Sequence, residues 1–300
     1  MKELPRYQEI FYKLFYFFRL TEFARFWNRT NTMILCYHGI TERFGLDPED
    51  RSAVVVDRAL FLTQLKYIRR HYRVISLCDY VIARQRRQPV PRHSVILTFD
   101  DGLRNFLTVA APVLNELGLP ATMFLITDQV EARDRSDLGP NWAPLDDRIS
   151  LSWSEAKTLQ SDQAIKFGSH TCSHPELPQL SANVDRELHD SLRAILENLH
   201  DFFQPSLAYP YGSYSESIAG KVRSAGYSCA LTTEAGSNSI NTDLFQLRRA
   251  VVRSYDTIEI FAARISGIVG WLRIVRDIFR RLGLPLVRVW NSAFSQQASS

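Results

Sequence analysis

Two adjacent carboxylates, Asp100 and Asp101, close the apolar run VILTFDDG, and seventy positions later His170 and His174 stand four apart in GSHTCSHP. Residues of these types can divide the work of metal-assisted hydrolysis. A divalent cation takes two neutral imidazoles and one carboxylate while keeping one coordination position for water, and the second carboxylate is left to accept that water's proton. The stretch Ser94 to Phe99, β-branched and aromatic, reads as a buried strand running into the Asp-Asp-Gly turn. Neighbouring strand residues point to opposite faces, so Gly102 must supply the bend that brings both carboxylates to one cavity. His170 and His174 can share one face of a helical turn or sit in a tight loop, which Thr171 and Ser173 could hold through backbone hydrogen bonds. Taken singly, Asp-Asp-Gly is equally readable as a plain turn and the histidines as a satisfied pair near a surface. A third element, LAYPYGSYS, adds the stiff loop Tyr209, Pro210, Tyr211 and Gly212 after another short apolar run, and the three together carry the signal.

The segments LTFDDG, HTCSHP and YPYG, in this order, resemble the polysaccharide deacetylase family, also called the NodB-homology or carbohydrate esterase family 4 group. The resemblance covers roughly residues 31–264. It implies that Asp100 is the general base, that Asp101, His170 and His174 hold the metal, and that the backbone N–H of Tyr211 helps bind the oxyanion. A fixed donor placed where negative charge develops contributes about 10²–10³ in rate. Tyr209, Pro210 and Gly212 would complete the substrate-binding loop. The implied cation is Zn²⁺, with Co²⁺, Ni²⁺ or Fe²⁺ also suited to two imidazoles and one carboxylate. The implied reaction removes an N-acetyl group from an amino sugar of a poly- or oligosaccharide and releases acetate.

The chain departs from the family pattern twice. Where many members carry an Arg that tethers the catalytic Asp, two residues before the motif's Pro, this chain has Ala208. Arg249, in FQLRRAVV, is a candidate replacement, because a guanidinium can clamp a carboxylate from another strand; solvent exposure of both Arg248 and Arg249 is the competing reading. Many members also end with a Leu-His motif whose His protonates the leaving amine, and here no histidine follows His200. His38, at the end of MILCYHGI, is the candidate for that acid, as in a circularly permuted subgroup of exopolysaccharide deacetylases to which the chain is similar; a His that merely caps the strand is the alternative.

Catalytic side chains need a frame. Strands are expected at Met33 to Tyr37, Val95 to Phe99, Ala121 to Ile126, Lys166 to Gly168, Ser206 to Tyr209 and Cys229 to Thr232, and helices at Asp57 to His71, Phe106 to Leu117, Ser154 to Gln160, Asn183 to Phe203 and Ser215 to Ala225. This alternation implies an α/β fold, a parallel barrel with its catalytic groups at the C-terminal strand ends. The resemblance sharpens it to a distorted, incomplete (β/α) barrel. A hydrophobic content of 45% with no Ser/Gly-rich linker favours one core, with residues 1–30 and 265–300 as amphipathic extensions. Cys36, Cys78, Cys172 and Cys229 have no CxxC spacing and read as reduced thiols. Trp153, Tyr209 and Tyr214 could stack on sugar rings or belong to the core.

Charge divides unevenly. Residues 1–30 carry net +3 and residues 264–290 net +5, so the +4 of the whole chain leaves the body between them at −4. Phe11, Leu14, Phe15, Phe17 and Phe18 with Lys13 and Arg19 near the start, and the apolar face of Ile268 to Leu282 with Arg273, Arg276 and Arg280, have the composition of helices that lie on anionic membrane; packing onto the barrel would suit them equally. The N-terminal residues show no signal-peptide pattern, and the expected location is the cytoplasm, at the inner face of the membrane, with a nascent or lipid-linked saccharide as substrate. No nucleic-acid motif is present, and the oligomeric state is open. A deformylase of a lipid-carried sugar, an amidohydrolase of a non-sugar amide, or a non-catalytic saccharide-binding or membrane scaffold would share much of this pattern.

Overall fold

The computed structural model describes residues 6–42, 53–135, 149–161, 164–180, 182–199 and 204–268. The expected C-terminal helix, apart from Ile268, lies outside the described residues.

In chain order the elements are α1 (Arg6–Phe17), α2 (Leu20–Trp27), β1 (Met33–Tyr37), β2 (Ile40–Thr41), β3 (Val56–Asp57), α3 (Arg58–His71), β4 (Arg73–Val74), α4 (Leu77–Gln85), β5 (Ser94–Phe99), α5 (Ala111–Leu117), β6 (Ala121–Leu125), α6 (Thr127–Arg135), α7 (Trp153–Ser161), β7 (Ile165–Ser169), α8 (Val184–Asn198), β8 (Ser206–Ala208), α9 (Glu216–Ser224), β9 (Cys229–Leu231), β10 (Ala250–Val251) and α10 (Ile258–Ile265). The expected helix at Phe106 to Leu117 is divided: Phe106–Ala110 is a π-turn that feeds α5. The expected helix Asn183 to Phe203 ends at Asn198 in α8.

Among the described residues, eight strands form one parallel sheet in the order β10-β1-β5-β6-β7-β8-β9, with β4 on β5 as well. β4 pairs with the start of β5 at Ser94 and Val95, and β6 with its end at Thr98 and Phe99. Between the two ends of the sheet, Leu247 bridges to Leu231 of β9 just before β10 joins β1, so the curled sheet makes a distorted (β/α) barrel.

Strand periodicity decides what faces inward. Leu35, Tyr37, Val95, Leu97, Phe99, Met123, Leu125, Ile165 and Phe167 pack outward with α3, α5 and α7 in the main core. The alternate residues Ile34, Ile96, Phe124, Ala208, Cys229 and Leu231 point inward, and Leu77, Tyr80 and Val81 of α4 close one end of the barrel beneath them. A Cβ on Gly168 would overlap the Phe124 ring, so the missing side chain there leaves Phe124 its place in the interior. Continuing the same phase, His38 follows Ile34 and Cys36, Asp100 follows Ile96 and Thr98, and His170 follows Gly168. All three therefore emerge at the C-terminal mouth, where a parallel barrel keeps its functional groups.

α1 and α2 cross over α10. Tyr12 and Ala24 are buried against Ile260, Ala263 and Ile268. The end of α2 meets the opposite rim of the barrel, because Arg29 O accepts a hydrogen bond from His93 N at 2.7 Å just before β5 begins. All four cysteines are free thiols. Among the described residues no helix is long and apolar enough to cross a membrane.

Candidate active site

His38, Asp100, Asp101, His170, His174, Tyr209, Tyr211 and Arg249 line one cavity of about 350 Å³ at the mouth of the barrel. The residues singled out in the three sequence segments thus converge, joined by Arg249 from the strand that closes the sheet.

Asp100 directly follows β5 and is buried. Arg249 clamps it with two parallel bonds, Nη1 to Oδ1 and Nη2 to Oδ2, each 2.7 Å. The guanidinium is wholly buried and is fixed in turn: Nε donates to Thr232 O at 2.8 Å and Nη1 to Thr98 Oγ1 at 3.3 Å. Arg248 points instead to the surface, beside Glu234. Cys36 Sγ lies 3.3 Å from Asp100 Oδ2 as a third donor. Burial by itself would push the Asp100 carboxyl up; the adjacent Arg249 charge, with His170 and the Arg249 hydrogen bonds, outweighs it and holds the group well below the usual carboxylate range. The clamp therefore favours the ionised form of Asp100.

Asp101 sits one residue further on at φ 72°, followed by Gly102 at φ 66°. This left-handed turn carries the Asp101 carboxylate to the same side as Asp100. His170 and His174 lie on a tight loop, Thr171 and His174 having φ of 67° and 63°. Helical geometry is thereby ruled out for the pair. Their Nε2 atoms are 3.2 Å apart and lie 3.5 and 3.8 Å from Asp101 Oδ1. Ligand atoms about 2.0–2.1 Å from a tetrahedral centre are separated by roughly 3.3 Å, so these three donors fit a single cation. His170 Nδ1 is 2.8 Å from Ala208 O, which fixes the proton on Nδ1 and turns the Nε2 lone pair to the cavity. Burial and the neighbouring His170 push the His174 imidazole down to about 4, leaving it neutral and able to ligate. The chain thus carries an Asp/His site able to bind a metal.

The loop owes its shape to a residue that the sequence motifs do not reveal. Glu187, buried on α8, accepts hydrogen bonds from Cys172 N and Ser173 N through Oε2, and from Ser173 Oγ through Oε1. The available signal was an acid on the apolar stripe of α8, between Val184 and Leu188. Cys172 turns away from the cavity toward the α8 backbone.

His38 follows β1, and its Nδ1 is buried without a hydrogen-bond partner. Its ring, Cys36 Sγ and the Asp100 carboxylate have ligand atoms within 4.8 Å of one another. Burial pushes its pKa below the ordinary imidazole value against the upward pull of Asp101 and Asp100. Tyr211 has φ 59°, and its ring meets the His174 ring edge-on with centroids 4.7 Å apart. Pro210 is buried, and Tyr209 is wholly buried with its hydroxyl bonded to Phe245 O at 3.0 Å. Tyr209 therefore shapes the floor of the cavity and has no open face to offer a sugar. Trp153 belongs to the main core, while Tyr214 stacks on Tyr209.

Residues 87–230 match the polysaccharide deacetylase family. Bacillus subtilis YxkH, a protein named as a polysaccharide deacetylase, is 28% identical over 159 residues, which span 53% of this chain and 51% of its own length. The chain thus aligns with about half of that relative. A Staphylococcus aureus poly-beta-1,6-N-acetyl-D-glucosamine N-deacetylase is 23% identical over 222 residues, covering 71% of this chain and 72% of the other. Among solved structures, the Streptococcus pyogenes deacetylase PplD in complex with acetate superposes with a TM-score of 0.66 at 25% identity, over 78% of this chain and 98% of that one. Barrel, motif order and family match agree: over residues 87–230 the chain is similar to the polysaccharide deacetylase family.

Proposed function

We propose that the protein is a metal-dependent hydrolase that removes N-acetyl groups from amino sugars of a poly- or oligosaccharide and releases acetate. One observation carries the reading: the clamped carboxylate of Asp100 stands in the same cavity as the ligand set Asp101, His170 and His174, with His170 Nε2 3.9 Å from Asp100 Oδ2. A pure binding site has no need of a charged, non-ligating acceptor beside a cation site.

A divalent cation held by these three residues supplies Lewis acidity toward the amide carbonyl and toward water. Zn²⁺ is the first choice for two imidazoles and a carboxylate, ahead of Co²⁺, Ni²⁺ or Fe²⁺. Asp100 accepts the proton of the attacking water. With its carboxyl held low, Asp100 gives that proton up again, and in this reading it passes to His38, which hands it to the leaving nitrogen. The backbone N–H of Tyr211, on a turn whose carbonyl accepts the Thr233 Oγ1 bond at 3.1 Å, would stabilise the oxyanion. The named activity of the staphylococcal relative and the acetate in the streptococcal structure support a β-1,6-linked N-acetylglucosamine polymer as the first substrate to try.

The test is acetate release from N-acetylglucosamine oligomers by chelated protein, with and without restored Zn²⁺. Asp101→Ala is expected to lose both bound metal and turnover. Asp100→Asn should keep its metal while turnover falls about 10²–10⁴-fold, the usual contribution of a positioned base. Full turnover by the metal-depleted protein, or by Asp100→Asn, would overturn the reading.

A further inference from the structure

Nine of the twelve exposed large hydrophobic side chains recorded among the described residues fall between residues 10 and 27: Ile10, Leu14, Tyr16, Phe17, Phe18, Leu20, Phe23, Phe26 and Trp27. Phe17 is 77% exposed, Trp27 66% and Phe23 64%. Soluble surfaces scatter such residues singly, and a contiguous patch marks an interaction site. The two helices are held from behind. Tyr12, Ala24, Phe11 and Phe15 pack on α10, and Asn28 Nδ2 donates to Ser266 O at 3.2 Å, so the aromatic side is presented by a docked element.

From this arrangement we infer that the α1–α2 hairpin is a membrane-docking surface that lies in the interface of a bilayer carrying anionic lipid. Its chemistry selects that occupant. The side chains are spread along residues 10–27 over two short helices that meet at Arg19, which has φ 57°. A fluid apolar medium accepts such a spread, whereas a rigid protein partner needs a matching pocket for each ring. Basic residues rim the aromatics: Lys13, Arg19, Arg25 and Arg29, with Arg29 stacked over the Phe26 ring at 4.3 Å. Glu9 and Glu22 pair with Lys13 and Arg19, so the rim stays net positive and complements phosphate headgroups. Amphipathic helices with basic and aromatic residues sit in this way in the headgroup boundary, and their binding scales with apolar area and anionic charge.

The experiment uses the full chain and vesicles of phosphatidylcholine with and without phosphatidylglycerol. Sedimentation with the anionic vesicles is expected, weakened by salt, and reduced about tenfold for each aromatic removed in Phe17→Ser and in the double variant Phe17→Ser/Phe23→Ser. Both positions are exposed, so the melting temperature and the hydrolysis of soluble oligomers should not change. Brominated lipid should quench tryptophan emission in the native chain and quench it less in Trp27→Phe, which still binds. Failure of the native chain to bind anionic vesicles would overturn the inference. So would binding that the double variant leaves intact, which would place the contact in another segment such as residues 269–300. A native dimer that the double variant converts to monomer would assign the patch to a second copy of the chain.

Discussion

In the proposed reaction Asp100 faces two opposed demands: it must stay ionised while buried, and it must take a proton during turnover. Arg249 meets the first with a bidentate bond from within the barrel, where the ion is itself anchored by Thr232 O and Thr98 Oγ1. Removing one member of a buried ion pair leaves the other uncompensated and costs about 3–5 kcal/mol. Arg249→Ala should therefore lower stability by about that amount, measured by denaturant unfolding. It should also move the acid limb of the pH–rate profile upward: without the guanidinium, burial raises the Asp100 pKa, and the base is lost as pH falls through the raised value. Arg249→Lys, which keeps charge but not the fork, should lie between the two. The same acid limb in wild type and in Arg249→Ala would remove the clamp from the account. At this scale the sequence is informative where chemistry needs a fixed residue type: the proposed ligands Asp101, His170 and His174 are recognisable because metal ligands have few substitutes. Arg249 could only be a candidate, since its two readings differ by which way a strand residue faces. Glu187 escaped notice because its work is to hold backbone amides, and many polar residues could do that elsewhere in a loop.

Among the described residues, four of the eight non-glycine residues with positive φ, namely Asp101, Thr171, His174 and Tyr211, belong to the three loops around the cavity. Each such residue costs of order 1 kcal/mol or more, and the cost is borne where loops must present side chains or amides to one point. Gly212 shows how tight the arrangement is: it has φ 69°, and a Cβ there would overlap the backbone and side chain of Thr233. Gly212→Ala is expected to displace Tyr211 and to lower kcat for acetate release by about tenfold or more, with metal content unchanged by elemental analysis. Wild-type kcat in this variant would argue against the Tyr211 amide as an oxyanion donor. Long apolar runs made β1, β5 and β6 legible to within a residue of their ends, and helical spacing did the same for α3, α7 and α9. Other elements were not legible: α4 and α6 carry a weaker apolar stripe than α3, α7 and α9, and β2, β3, β4 and β10 have only two residues each, positioned by tertiary pairing. The His170–His174 spacing of four suits a helix equally well, and only the left-handed residues at Thr171 and His174 decide for a loop.

Over the whole molecule, the barrel and the α1–α2 hairpin are joined by a small separate cluster around Tyr12. Because Tyr12 is fully buried there, Tyr12→Ala should cost about 3 kcal/mol locally and loosen the hairpin from α10. Limited trypsin digestion should then cut faster in residues 13–29, while hydrolysis of soluble oligomers stays at the native rate. Coupled loss of activity would mean that the hairpin also supports the barrel. The alternation of strands and helices made the barrel legible from sequence. How the N-terminal segment divides between packing and exposure was not legible, since Phe11 and Phe15 turn inward while Phe17 and Phe18 turn out.

Arg29 touches the chain at the beginning of β5, and Asp100 follows its last residue. Six residues of strand, roughly 20 Å at about 3.3 Å each, therefore separate the end of α2 from the reaction centre. α1 runs back along α10, with Tyr12 near Arg264, which lines the cavity. Lipid met by this hairpin would therefore extend along the flank of the barrel from its lower rim toward its mouth.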